Sequence, residues 1–186
     1  MKSVTKHYRI MAALIVFAAG ALGQGEADIS LTTAEFQGRV NTYMEKRAAI
    51  KAGLPSLSES ATPEEINRHK TSLLEAIQKD RVNAEEGDIL TPAAVNAIRH
   101  IILKEYQEDE LTELRKTIFE AENSKVPAKV NTVYPPSEER LEMPPRLLEV
   151  LPKLPDELRY RFVGDALLIV DKENELILDL ARKVLP

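Results

Sequence analysis

The chain has no cysteine and no tryptophan, only seven glycines, and aromatic side chains make up 5% of its 186 residues. Each shortage closes off chemistry. Without Cys there is no disulfide, no thiolate nucleophile and no Cys-built zinc site. The fold must rest on its core alone, which is feasible at this length. Few aromatics leave little stacking surface for bases or sugars. No G-x-S-x-G elbow and no Gly-rich phosphate loop occurs, so the usual marks of serine hydrolases and nucleotide enzymes are missing. Cations are also in the minority, with 25 Lys and Arg against 30 Asp and Glu. That balance argues against a nucleic-acid partner and against attachment to anionic lipid.

What is present begins with an export signal. Lys2, Lys6 and Arg9 precede the apolar run Ile10 to Leu22, which only Gly20 breaks, and Ala21-Leu22-Gly23 supplies a small-residue exit. A basic start, a short apolar stretch and small residues at the cut make a secretory signal peptide. The run spans 13 residues, whereas a membrane-crossing helix needs about 20. Residues 1–23 are therefore expected to be cleaved, the alternative being a short retained anchor. No Cys follows the run, which excludes lipid attachment there. Loss of three cations leaves 22 against 30 acids, a net charge of −8. No membrane span is expected after cleavage.

The first half then reads as helices. Thr32-Thr33-Ala34-Glu35 is a capping-box pattern, and Phe36, Val40, Tyr43, Arg47 and Ile50 recur at helical spacing. In such a box the hydroxyl and the carboxylate satisfy free amides reciprocally. The pattern predicts a helix over 33–52, ended by Gly53 and Pro55. Thr62-Pro63-Glu64-Glu65 opens a second helix over 63–84, with Ile66, Leu73, Leu74 and Ile77 inward. Thr91-Pro92 opens a third, carrying Val95, Ile98, Ile101, Ile102 and Tyr106. The period slips before Leu111, so a break near Asp109 is expected. Leu111, Leu114, Ile118 and Phe119 form the next stripe.

Asn123 to Pro145 holds Pro127, Pro135, Pro136, Pro144 and Pro145 and reads as an extended, proline-rich linker. Leu147 to Leu154 has room for one or two helical turns. From Leu158 the period becomes two, which marks strands. Leu158–Val163 is a half-buried strand, Gly164-Asp165 a tight turn, Ala166–Val170 a second strand, Asp171–Asn174 a polar turn and Glu175–Asp179 a third strand. The fold class is α+β: a signal peptide over 1–23, a bundle of three or four helices over 24–123, a linker over 124–145, and a small antiparallel β-meander over 146–186.

Few constellations point to chemistry. Glu65 and His69 share a helix face at four-residue spacing, and His100 could complete a metal site with them. A solvated helix face carries such a pair equally well. Asp171, Glu173 and Glu175 cluster as calcium loops do, but without the long ligand series such loops need; they read as a polar turn that keeps a sheet edge charged. Asp88-Ile89-Leu90-Thr91-Pro92 has a local structural task for every residue: a turn, two apolar pins and a cap. Arg159 and Arg161 are expected to pair across the sheet with Asp179 or Glu175. No catalytic, cofactor-binding or metal-ligating residue is assigned on this reading, and no cofactor.

Two strings carry a resemblance. Glu86-Gly87-Asp88-Ile89-Leu90-Thr91-Pro92 is followed much later by Leu154-Pro155-Asp156-Glu157-Leu158-Arg159-Tyr160-Arg161-Phe162-Val163-Gly164, then by Leu167–Asp171 and Leu176–Asp179. Together they resemble small exported bacterial proteins with a signal peptide, a helical half, a proline-rich stretch and a C-terminal YRFVG hairpin. That resemblance spans most of the mature chain and implies no activity and no catalytic residue. The hairpin alone is loosely similar to the C-terminal piece of the RcnB-like periplasmic proteins, which are connected with nickel and cobalt homeostasis. The functional expectation is a non-enzymatic envelope module that binds another protein or is structural. The alternatives are a periplasmic metal-binding protein and a hydrolase built on a carboxylate pair.

Overall fold

The computed structural model describes residues 21–120, 128–134 and 143–186, with side chains in the first helix from residue 30 onward. The signal sequence expected at 1–23 lies almost wholly outside the described residues, as do 121–127 and 135–142 of the proline-rich stretch.

Helices α1 (Ala21–Ala52), α2 (Pro63–Asp80), α3 (Pro92–Glu105) and α4 (Glu108–Glu120) are followed by the short α5 (Pro145–Val150) and strands β1 (Leu158–Val163), β2 (Ala166–Asp171) and β3 (Leu176–Arg182). The strands form one antiparallel sheet in the order β1-β2-β3. The α+β reading is thus what the chain adopts. Among the described residues, no helix is long and apolar enough to cross a membrane.

Helix starts follow their caps. Thr62 and Glu65 close a full capping box on α2, and Thr91 Oγ1 accepts from the Ala94 amide at α3. The expected start at Thr33 is a correction, because α1 begins at Ala21. A capping sequence is an option rather than a command, and no proline upstream forces a stop. Helix α2 ends at Asp80 instead of 84. There the Arg81 amide still bonds to Ile77 O, while the Arg81 guanidinium donates to Leu178 O at 2.7 Å and sits over the Tyr43 ring. The break between α3 and α4 falls at Tyr106–Gln107, where Tyr106 is extended and the Gln107 amide donates to Glu110 Oε2.

The inward faces of the helices match their spacing. Phe36, Val40 and Tyr43 of α1, Leu73 and Ile77 of α2, Val95, Ile98 and Ile102 of α3, and Leu111, Leu114 and Ile118 of α4 are buried in one cluster with one face of the sheet. Each such aliphatic side chain contributes about 1.5–3 kcal/mol of transfer free energy. Two stripe members stay out: Ile66 is 37% exposed and Phe119 51%.

The first strand was expected to be half-buried; it is covered on both faces. Leu158, Tyr160 and Phe162 face the helices, while Val163 joins Ala166, Leu168, Val170, Ile177 and Leu180 in a second cluster under Val130 and Tyr134. Within the proline-rich stretch, residues 128–134 therefore form a lid on the sheet's far side. They also extend it: the Asn131 amide donates to Ile177 O at 2.8 Å, Ile177 N to Thr132 O at 2.9 Å, and Tyr134 N to Glu175 O at 2.8 Å. Gly164, at φ +55, makes the β1–β2 turn that the sequence assigned to it.

A bulge organises the sheet's helix side. Ile169 pairs with Asp179 but Val170 with Ile177, so Leu178 is an extra residue in β3. A bulge breaks strict alternation and re-aims side chains. Leu176 and Leu178 face the helices and Ile177 the other way; beyond the bulge Leu180 faces the lid and Ala181 the helices. The parity shift turns Asp179 toward the helical layer, next to Leu178.

Candidate functional site

Two carboxylates on the helix-facing side of the sheet are fully buried, Asp171 and Asp179, each with 0% exposure. A buried charge is tolerated only when it is paired and hydrogen-bonded. The chain meets this demand twice, in different ways.

Asp171 ends β2, so the expected polar turn starts one residue late and its first member is core. Residues 43, 47 and 51 lie one turn apart on α1 and reach down to it. Tyr43 Oη donates to Asp171 Oδ2 at 2.6 Å and Arg47 Nε to the same oxygen at 2.7 Å. The Glu173 amide donates to Oδ1 at 3.0 Å. Arg47 Nη2 continues to Glu173 Oε2 at 2.5 Å, and Lys51 Nζ closes the chain on the same oxygen at 2.8 Å. Burial, and then the Asp171 charge, hold the Tyr43 hydroxyl well above the ordinary phenol range, so it remains a donor. Burial pushes Glu173 up, but Lys51 and Arg47 outweigh it and keep its carboxyl below the usual range. Glu173 therefore stays ionised and completes the clamp between α1 and the β2–β3 turn.

Asp179 is met by backbone alone. Its Oδ1 accepts from Gly87 N at 2.9 Å and Leu180 N at 2.8 Å, and its Oδ2 from Ile89 N at 2.6 Å and Leu90 N at 2.7 Å. Burial pushes this carboxyl up, and the four amides pull it back toward the charged form. Gly87, at φ +94, turns the loop so that its amides converge. Ile89 and Leu90 are buried as pins, and Asp88 Oδ2 accepts from the Glu85 amide as a turn residue. The structural reading of Asp88–Pro92 accounts for each of these groups. The sequence reading missed Asp179 itself, which it offered only as a partner for Arg159 or Arg161. Both arginines turn to Glu175, the other partner expected for them: Arg159 Nη2 bonds it directly, and Arg161 Nη2 is 4.0 Å away while its guanidinium sits over Tyr134.

The remaining candidates separate. Glu65 Oε2 accepts from the Thr62 amide at 2.7 Å, which spends it on the cap of α2. His69 shares a cavity of about 320 Å³ with Glu65, Leu57 and Ser72, and His100 is exposed on α3. Among the described residues, no group of three His, Asp or Glu side chains is placed to hold a metal ion. Asp171 and Asp179, the buried acids, are each engaged by their own donors and do not form a catalytic dyad.

A further concave feature of the described residues lies elsewhere. A groove of about 530 Å³ runs beside β1, between Leu158–Arg161 and the segment from Met143 to Leu154. Its far wall is fixed at two points: Gln37 Nε2 of α1 donates to Lys153 O at 2.7 Å, and Tyr160 Oη to Pro152 O at 2.9 Å. Arg146 ties α5 to α3 and α4, through Glu105 O and Glu110, and lies over the Tyr106 ring. The groove is thus bounded by anchored backbone on both sides. No family model, no curated protein and no solved structure matches this chain.

Proposed function

We propose that this chain is a non-enzymatic protein-binding module, exported to the periplasm or beyond the cell, that docks an extended segment of another protein along β1. The observation that carries the reading is the inequality of the sheet's two edges. The β3 edge is bonded to residues 131–134, whereas β1, among the described residues, has a strand partner only on its β2 side. Residues Leu158 to Arg161 of β1 border the groove. A sheet edge that borders a groove can template an added strand, with neighbouring pockets giving specificity. The polar groups buried in the interior support the same reading, since Asp171, Asp179, Tyr43 and Arg47 are engaged in joining helices to sheet. Export is read from Lys2, Lys6, Arg9 and the apolar run that follows them.

Photo-cross-linking in the native host tests this. A cross-linking residue is placed at Leu148, which is 42% exposed in the groove wall, and a control at Lys116, exposed on α4. The proposal expects a dominant envelope protein attached through position 148 and absent from position 116. A chain that sediments as a monomer and yields no groove-specific adduct contradicts it.

A further inference from the structure

Away from the groove, α1, the end of α2 and the loop that follows it border a cleft of about 220 Å³. That is below the roughly 300 Å³ at which drug-sized ligands begin to fit, so it suits a smaller molecule. Ile50, Ile77 and Ala84 make its apolar part. Five of its lining side chains are charged, and three of these are answered within the protein. Lys46 pairs with Asp80 at 3.5 Å, and Arg47 is held by Asp171 and Glu173. Arg81 and Asp88 remain. Arg81 Nη2 is on Leu178 O and the guanidinium lies over the Tyr43 ring, but its buried Nε has no acceptor. Asp88 Oδ2 accepts from the Glu85 amide at 3.0 Å. Arg39 donates to the Asp88 carbonyl, yet its ion pair is with Glu35. Among the described residues, then, Arg81 has no carboxylate and the Asp88 carboxylate has no cation. One charge of each sign is left unanswered in one cleft.

We infer that this cleft binds a small zwitterion of the amino-acid type, its carboxylate on Arg81 and its ammonium on Asp88. A guanidinium recognises a carboxylate through its planar fork of N–H donors, and an ammonium brings three donors to a carboxylate. A simple anion would answer Arg81 and set its own charge against Asp88. A simple amine would do the reverse. Only a ligand carrying both charges meets both groups, and Ile50 and Ile77 give a short aliphatic side chain its apolar contact. The inference goes beyond protein docking and shares no residue with the groove beside β1.

The test is titration calorimetry on the full chain, with thermal unfolding as a second readout. The probes are glycine, alanine, valine, leucine and γ-aminobutyrate. Two controls bracket valine: isovalerate, which lacks the ammonium, and valinamide, which lacks the carboxylate. At least one zwitterion is expected to give saturable heat with a Kd below about 1 mM and to raise Tm as its concentration rises. Each singly charged control should bind roughly tenfold more weakly than valine. The decisive variant is Asp88→Asn. It keeps an oxygen for the Glu85 amide at an exposed position, so its urea midpoint should match the wild type. It should lose the preference for valine over isovalerate, because the group that reads the ammonium has lost its charge. A panel in which no zwitterion binds overturns the inference. So does isovalerate or valinamide binding as tightly as valine, which would make the cleft a site for one charge only. An Asp88→Asn chain that keeps the wild-type preference overturns the assignment of the ammonium to Asp88.

Discussion

Replacing Asp179 by Asn exchanges one carboxylate oxygen for an NH2 group at the centre of the helix–sheet junction. The side chain keeps its shape, but one carboxylate oxygen becomes an amide donor. Whichever way the amide lies, two backbone N–H groups then face a donor: Ile89 and Leu90 in one orientation, Gly87 and Leu180 in the other. A buried amide left unsatisfied costs about 1–3 kcal/mol, so the gross loss is about 2–6 kcal/mol. Neutralising the group returns part of this, because burial opposes its charge. A net loss of about 3 kcal/mol is expected. For a chain of this size that corresponds to about 6–12 °C in Tm. Urea unfolding of both proteins, analysed at equal m-value, gives the number directly. Hydrogen exchange should show the Ile89 and Leu90 amides opening while the α4 amides stay protected. A loss below about 1 kcal/mol would refute the view that this carboxylate holds the loop.

The other perturbations test neighbouring parts. Arg47→Met leaves Asp171 with one partner fewer and Glu173 without its deeper cation; stability should fall by about 3–5 kcal/mol, and a double-mutant cycle with Asp171→Leu should recover a large share of it. Tyr43→Phe removes one donor to Asp171 and should cost about 1–2 kcal/mol in urea unfolding. Gly87→Ala has room for its methyl group, the nearest atom being Leu90 O at 3.9 Å, but φ +94 disfavours any side chain; calorimetry should find about 1–2 kcal/mol lost. The Glu173 carboxyl is held below its unfolded value. Its contribution is therefore present above about pH 4.3, the unfolded range, and lost as pH falls through the lower folded value. Between about pH 5 and pH 3 the wild type should lose stability more steeply than Glu173→Gln; parallel curves would contradict the Lys51–Glu173–Arg47 linkage.

Periodicity made the helix faces legible: Phe36, Val40, Tyr43 and Arg47 are inside as their spacing implies. The strand starts at Leu158 and Ala166 and the turn at Gly164 were equally plain. What spacing could not supply was the covering of the sheet's far face. The lid at 128–134 has no period to read, and Val130 and Tyr134 bury themselves only because β2 and β3 present Leu168, Val170 and Ile177 to them. The bulge at Leu178 was hidden for a similar reason, since a single extra residue leaves the composition of a strand unchanged. Asp171 looked like a turn residue because Asp in a polar run usually is one; only α1, packed above it, makes it core. The loop at Gly87–Pro92 and the strand at Leu176–Asp179 stood out as distinct strings. They are two sides of one contact, joined through the four amides on Asp179. The groove was not legible at all, because its lining is drawn from two segments that meet only in the fold: Met143 to Leu154 before the sheet, and Leu158 to Arg161 with Lys172 from the sheet and its turn.

The central claim is that β1 and its groove are where another protein docks. Hydrogen exchange on the full chain, alone and with the partner recovered through the Leu148 cross-link, tests it most directly. The account predicts slowed exchange in β1, residues 158–163, and in the groove wall at 146–154, with α4 unchanged. Protection confined to the helices, with β1 exchanging as in the free protein, would contradict it.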